Sequence, residues 1–176
     1  MLYNKNKVAE ISYFKCEDGI KRTGTFHYIC RDCDSKEFAD YENPETILTR
    51  PNDLMMAENA IKNLLLMISQ KKYERELCEN DIQYLPFVNI QQMLKGNELD
   101  TRDYLDDLEY FKQIKAGKVE YGFQIAYWEV LPFVCPIAVQ GTFTIYKDMK
   151  GNQIIDPYDF DEKKKNQSVH LCVFPF

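Results

Sequence analysis

The chain has 176 residues, of which 45% are hydrophobic and 14% aromatic; this composition excludes disordered and collagen-like classes, and the length suffices to bury about two thirds of the unfolded surface around one core. A formal net charge of −6 argues against affinity gained by neutralising nucleic-acid phosphates, which needs concentrated Lys and Arg. The opening MLYNKNKVAEISYF lacks the apolar run of a secretory signal, and AYWEVLPFVCPIAV, interrupted by Glu129, Pro132 and Pro136, falls short of the roughly 20 residues of a membrane span, so a cytoplasmic protein without membrane contact is expected.

The first element expected is a β-hairpin over 7–30. Two β-rich runs, KVAEISYFKC and KRTGTFHYIC, flank Asp18-Gly19, a dipeptide suited to the positive φ of a type I′ turn. In that register Cys16 and Cys30 lie at opposite ends of the hairpin, roughly 30 Å apart, and cannot share a ligand.

A helical segment over 34–117 should follow. Asp34 or Ser35 is read as the N-cap of a short helix that Pro44 stops. The next helix is the clearest: Leu54, Ala57, Ile61, Leu64, Leu65 and Ile68 recur at helical spacing, with Asn52 or Asp53 as cap. A break at Pro86 precedes a short helix from about Val88 to Lys95, ended by Gly96. A separate amphipathic helix then begins at Asp100 or Thr101, turns Tyr104, Leu105, Leu108 and Phe111 inward, and stops at Gly117.

The remainder, 119–176, reads as β. EYGFQIAYWEV, PIAVQGTFTIYKD, NQIIDPYD and QSVHLCVFPF are rich in aromatic and β-branched residues, with a turn at Lys150-Gly151-Asn152 and a polar loop, DPYDFDEKKKNQ, before the last strand. Strands at both ends and helices between them predict a single α+β domain: a mainly antiparallel sheet built from the N-terminal hairpin and the C-terminal strands, covered by the central helical segment. Strand and helix do not alternate as in a doubly wound nucleotide-binding fold.

Chemistry concentrates in HYICRDCDSKEF, where Cys30-x-x-Cys33 supplies half of a tetrahedral zinc site. His170 and Cys172, two apart on a strand, project from one face, and with Cys30 and Cys33 they would complete a Cys3His set joining the chain ends. The plainer reading makes all six cysteines reduced, small apolar core residues, consistent with a chain that carries no secretory signal. A third reading is a redox dithiol, favoured by a following helix N-terminus and opposed by the charges of Asp32 and Asp34. Cofactors are thus none, or zinc.

Other sites are poorly supported. With His27 and His170 as the two histidines, a His-dependent triad lacks context. Asp156, Asp159 and Asp161 sit in a loop that reads as solvated, and the glycines form no phosphate loop. Glu98, Asp100, Asp103, Asp106, Asp107 and Glu109, by contrast, crowd one helix with only Arg102 among them. Asp106, Asp107 and Glu109 lie past the first turn, where the helix dipole rewards negative charge. A solvated face explains them, and so does a docking surface for a basic partner. Trp128, opposite the Tyr121, Phe123 and Tyr127 side of its strand, is an anchor candidate for an interface.

These residues point to a binding protein rather than an enzyme. In this reading an acidic helical surface occludes a basic site on a partner protein, as an inhibitor or immunity protein does, with Glu98, Asp100, Asp103, Asp106, Asp107, Glu109 and Trp128 in contact. The alternative is a zinc-binding protein or zinc-dependent enzyme centred on Cys30 and Cys33. A small-molecule module using a pocket between sheet and helices is a further reading.

Overall fold

The computed structural model describes residues 29–43, 45–46, 48–80, 90–119, 127–133, 139–156, 159–161, 163–165 and 168–173. Their elements are α1 (Arg31–Glu37), α2 (Asp53–Asn80), α3 (Ile90–Lys115), β1 (Val139–Thr144) and β2 (Ser168–Val173). This is an α+β arrangement in which the two strands pair antiparallel. The predicted hairpin over 7–30 lies almost wholly outside the described residues, as do Cys16, His27, Pro86 and Cys135.

α1 starts earlier than its sequence suggests. Its cap is Cys30, not Asp34 or Ser35: the Cys30 sulfur accepts from the Cys33 amide at 3.3 Å, and the Cys30 carbonyl accepts from the Asp34 amide at 2.9 Å. Asp34 instead lies inside the helix and reaches Lys62 Nζ at 3.2 Å. The helix ends at Phe38, before Pro44.

α2 begins as its cap predicts, with Asn52 Oδ1 accepting from the Met55 amide at 2.9 Å. Ala57, Ile61 and Leu64 are buried, while Leu65 and Ile68 pack against the same cluster. A fully buried Leu or Phe contributes about 1.5–3 kcal/mol.

One helix replaces the two expected over 88–117. α3 runs through Gly96, because interior glycine costs only about 1 kcal/mol relative to alanine and tertiary contacts outweigh it. Those contacts are made by the next residues: Asn97 Nδ2 donates to the Lys71 carbonyl at 2.8 Å, and Asp100 pairs with Lys71 at 3.0 Å. Asp100 and Thr101 are therefore not caps; the Thr101 hydroxyl donates back to the Asn97 carbonyl at 2.7 Å. A Cβ at Gly96 would lie 3.4 Å from Phe160 Cε1, in ordinary van der Waals contact, so the later loop packs over this position without requiring glycine. The helix does stop at Gly117, whose φ of 67° accompanies the Gly117 to Ile114 and Lys118 to Gln113 amide–carbonyl bonds of a Schellman end.

α2 and α3 run antiparallel, with Lys71 beside Asn97 and Asp100 at one end and Glu58 beside Lys115 at the other. Phe38, Tyr41, Ala57, Ala60, Ile61, Leu64, Leu108, Phe111 and Ile114 form the core between α1, α2 and α3. Tyr104 packs against it as expected, but Leu105 is 49% exposed. At about 100° per residue, Leu105 is rotated a quarter turn away from the Tyr104, Leu108 and Phe111 stripe.

The strands are fewer than the sequence suggests among the described residues. Of EYGFQIAYWEV, residues 120–126 lie outside the described residues and 127–130 carry no strand, and NQIIDPYD contributes a single Lys147–Gln153 bridge. The turn between them forms as predicted: Asp148 Oδ1 accepts from the amides of Lys150 and Asn152, each at 2.8 Å, and Gly151 takes φ 86°.

The buried carboxylate of Glu58, 1% exposed, ties three segments together. Its Oε2 accepts from the Tyr41 amide at 2.9 Å and its Oε1 faces Lys115 Nζ at 3.3 Å. Replacement Glu58→Ala strands the amide and removes a buried ionic partner, so it should lower the unfolding free energy by about 3–5 kcal/mol. Glu58→Gln keeps an acceptor for Tyr41 and should lose less; urea unfolding followed by circular dichroism ranks the two.

Candidate functional site

The β1–β2 pair presents its polar face to the helices. In the observed register Gln140 faces Cys172, Thr142 faces His170 and Thr144 faces Ser168, while Val139 faces Val173, Gly141 faces Leu171 and Phe143 faces Val169 on the opposite side. Thr142 is buried, whereas Val139, Phe143 and Leu171 are exposed.

Beneath the polar face lies a seam of buried side chains from α2. The Asn63 amide donates to Asn59 Oδ1 at 3.0 Å and to the Gly141 carbonyl at 3.2 Å. Tyr41 Oη and Cys172 Sγ are 2.6 Å apart, and the Asn59 side chain bonds to both groups. Burial raises the Tyr41 phenol above its ordinary range, reinforced by Cys172; it also raises the Cys172 thiol, against the lowering effect of Tyr41 and Asn59. This sulfur is therefore a protonated hydrogen-bonding group at neutral pH, a poor nucleophile and a poor metal ligand in that state.

His170 shares the inward face with Cys172, as the spacing predicts. Its Nδ1 lies 2.7 Å from the Thr142 hydroxyl, and its ring meets Phe111 edge to face at 5.7 Å. Desolvation pushes the imidazole from 6.5 down to about 4, against a smaller upward pull from Asp107. The ring is thus neutral at pH 7 and held by packing. Among the described residues, no group of three or more His, Cys, Asp and Glu side chains stands in a metal-holding arrangement. His170 and Cys172 share a face, but the structure does not assemble Cys30, Cys33, His170 and Cys172 into such a set.

Cys30 and Cys33 are both exposed and free. The Cys30 thiol is lowered chiefly by its hydrogen bond with the Cys33 thiol and then by backbone amides; the Cys33 thiol is raised chiefly by the same bond and by the charge of Cys30. Cys78 and Cys172 differ, since desolvation raises both.

The six acidic residues of α3 separate into two groups. Asp103 is 5% exposed and receives Arg102 Nε at 3.0 Å and Nη2 at 2.7 Å. Asp100 pairs with Lys71, and Asp107 pairs with Lys165 at 2.8 Å. Asp103 consequently cannot present its carboxylate to a partner, which corrects the expectation of six water-facing acids. Glu98, Asp106 and Glu109 are exposed, Glu98 with Lys95 Nζ at 3.8 Å. On a helix they fall on one side, with Leu105 at its edge. The polar loop supplies part of the neutralisation through Lys165, and its Lys164 carbonyl accepts from Arg102 Nη2 at 3.2 Å.

A second exposed surface is apolar. Tyr127, Trp128, Val130, Leu131 and Phe133 are between 41% and 78% exposed within one short segment. A cavity of about 470 Å³ also opens between the three helices, lined by Phe38, Ile61, Leu65, Glu37, Lys112 and Lys115. Its place among helices differs from the sheet–helix pocket expected from the aromatic strand. No described helix is long and apolar enough to cross a membrane.

Comparison with protein-family models, curated proteins and solved structures finds no match for the chain.

The neutral state of His170 carries a pH signature. A histidine whose folded-state value is depressed binds its proton more readily when unfolded, so its contribution is complete above pH 6.5 and is lost as the pH falls towards 4. The loss should be on the order of 3 kcal/mol. In His170→Gln the difference in unfolding free energy between pH 7 and pH 4 should shrink by a similar amount, measured by urea titration at each pH.

Proposed function

We propose that the chain works by binding a protein partner that carries a basic surface, occluding it as an inhibitor or immunity protein does. The contact surface comprises Glu98, Asp106 and Glu109 of α3, with Leu105 beside them and Trp128 as an apolar anchor. Asp100 and Asp107 act behind it, holding α3 against α2 and the polar loop, while Asp103 pairs with Arg102 of the same helix.

The observation that carries this reading is the exposure of the segment 127–133. Trp128 is 41% exposed and Phe133 63%, in a chain that buries Phe38 and Leu64 almost completely. Clusters of exposed large apolar side chains are the common mark of a contact surface, and Trp is the residue type most enriched among interface hot spots. The exposed carboxylates add the second ingredient: charge of one sign steers a partner of the opposite sign and excludes like-charged competitors. An overall charge of −6 acts in the same direction.

The reading predicts separable effects of charge and apolar contact. Carbodiimide cross-linking in cells that express the chain should join Glu98, Asp106 or Glu109 to lysines of a discrete partner. Changing all three acids to Lys should reduce that adduct on the order of tenfold, with the remaining interaction weakened less by added salt. Trp128→Ala should weaken it at every salt concentration. A set of adducts unaltered by both variants rules the proposed surface out.

A further inference from the structure

We propose that Cys30 and Cys33 are a solvent-facing dithiol that closes reversibly to an intrachain disulfide, with Cys30 as the attacking sulfur and Cys33 as the resolving one. This site is separate from the acidic surface and does not depend on the binding reading.

The geometry is that of a pair, not of a single reactive thiol. Both cysteines are exposed and free, and they stand three residues apart at the start of α1, Cys30 as its cap and Cys33 within its first turn. The Cys30 sulfur also accepts from the Cys33 backbone amide at 3.3 Å, which places it over the residue it would bond. Residues three apart across a helical turn are roughly 5 Å apart between Cα atoms, within the window of about 4.4–6.8 Å that disulfides occupy. Closing the bond therefore needs side-chain rotation and no refolding.

The pair is asymmetric. Cys30 receives hydrogen bonds that favour its thiolate, while Cys33 is disfavoured as a thiolate for as long as Cys30 carries the charge. The neighbouring acids are partly answered by cations: Asp34 pairs with Lys62 at 3.2 Å and Glu37 with Lys115 at 3.0 Å. Asp32, the acid between the two sulfurs, has its backbone amide on the side that favours the Cys30 thiolate. Cys78 and Cys172 offer no such site: Cys78 is buried, and Cys172 is held by Tyr41.

The oxidant is a low-molecular-weight disulfide such as oxidised glutathione. The Cys30 thiolate attacks one of its sulfurs, forming a mixed disulfide and releasing one glutathione thiolate. Cys33 then loses its proton and attacks the Cys30 sulfur, forming the Cys30–Cys33 bond and releasing the second thiolate. Two electrons pass from the cysteine pair to the oxidant, and two molecules of reduced glutathione result.

The test uses the full chain, reduced and then incubated with oxidised glutathione, quenched in acid, alkylated and mapped by mass spectrometry. The expected product is an intrachain Cys30–Cys33 disulfide that has lost two hydrogens and reopens with excess reduced glutathione. Cys33→Ser should trap glutathione on Cys30. Cys30→Ser, whose new hydroxyl still caps the helix, should take up glutathione at Cys33 on the order of tenfold more slowly. Circular dichroism confirms that both variants fold. The proposal is overturned if the pair stays reduced, if either cysteine pairs instead with Cys16 or Cys135, or if the two variants trap glutathione at equal rates.

Discussion

The structure turns on one buried carboxylate. Glu58 sits within the helical core at 1% exposure, and its two oxygens are divided between the Tyr41 amide and Lys115. A buried charge is tolerated only when it is paired and hydrogen bonded, so each bond constrains a different part of the chain. The first holds the segment after α1 against α2. The second fixes the C-terminal turn of α3 beside the start of α2. Lys115 extends this network to α1, donating to both the carbonyl and the side chain of Glu37. Lys62, on the other side, spans Asp34 and Glu42 while its ammonium lies 5.1 Å from the Phe38 ring. Phe38 is thus packed by apolar neighbours and approached by two cations, an arrangement in which electrostatics and burial support each other.

The same principle explains why the sheet turns its polar side inward. α2 presents Glu58, Asn59 and Asn63 along its buried surface, next to Ala57, Ala60 and Leu64. A purely apolar strand face would leave those amides without partners, at a cost of about 1–3 kcal/mol for each buried group. The Gly141 carbonyl and Cys172 provide hydrogen-bonding groups instead, while Thr142 and His170 satisfy each other. The fit is incomplete among the described residues, since Asn63 Oδ1 and Gln140 Nε2 are buried without a partner. The consequence on the other side is an apolar surface at Val139, Phe143 and Leu171 that faces outward.

Much of the helical layout was legible from local signals. Asn52, Gly117 and the spacing of Ala57, Ile61 and Leu64 each encode their role in one turn of chain, and the structure agrees with them. Gly96 misleads because what carries the helix through it is tertiary: Asn97 and Asp100 are held by Lys71, and no local rule connects residues so distant in sequence. Cys30 was missed as a cap because sulfur is a weak acceptor, and the preference for Asp or Ser dominates a reading of propensity. Glu58, Asn59 and Asn63 escaped for a related reason, since polar residues interspersed on an apolar stripe look like its solvated edge. His170 and Cys172 were correctly placed on one strand face, but periodicity could not reveal that this face meets Thr142 and Tyr41.

The acidic helix shows why a count of charges is a poor measure of a charged surface. Orientation decides which carboxylates act at long range. Asp103 lies on the buried side and is neutralised at contact distance by its neighbour Arg102, while Asp100 and Asp107 spend their charge on Lys71 and Lys165. Partly exposed ion pairs contribute little to stability, typically about 0–1 kcal/mol, yet here they determine which surface remains electronegative. Lys164 and Lys165 belong to a loop that read as merely polar in sequence, and that loop crosses the helix near its acidic stretch. The field available to an approaching molecule is then set chiefly by Asp106 and Glu109, with Glu98 shared with Lys95, around an exposed Leu105. Because these residues lie on the side of α3 turned away from α2, a partner can be met there without disturbing the Glu58 network.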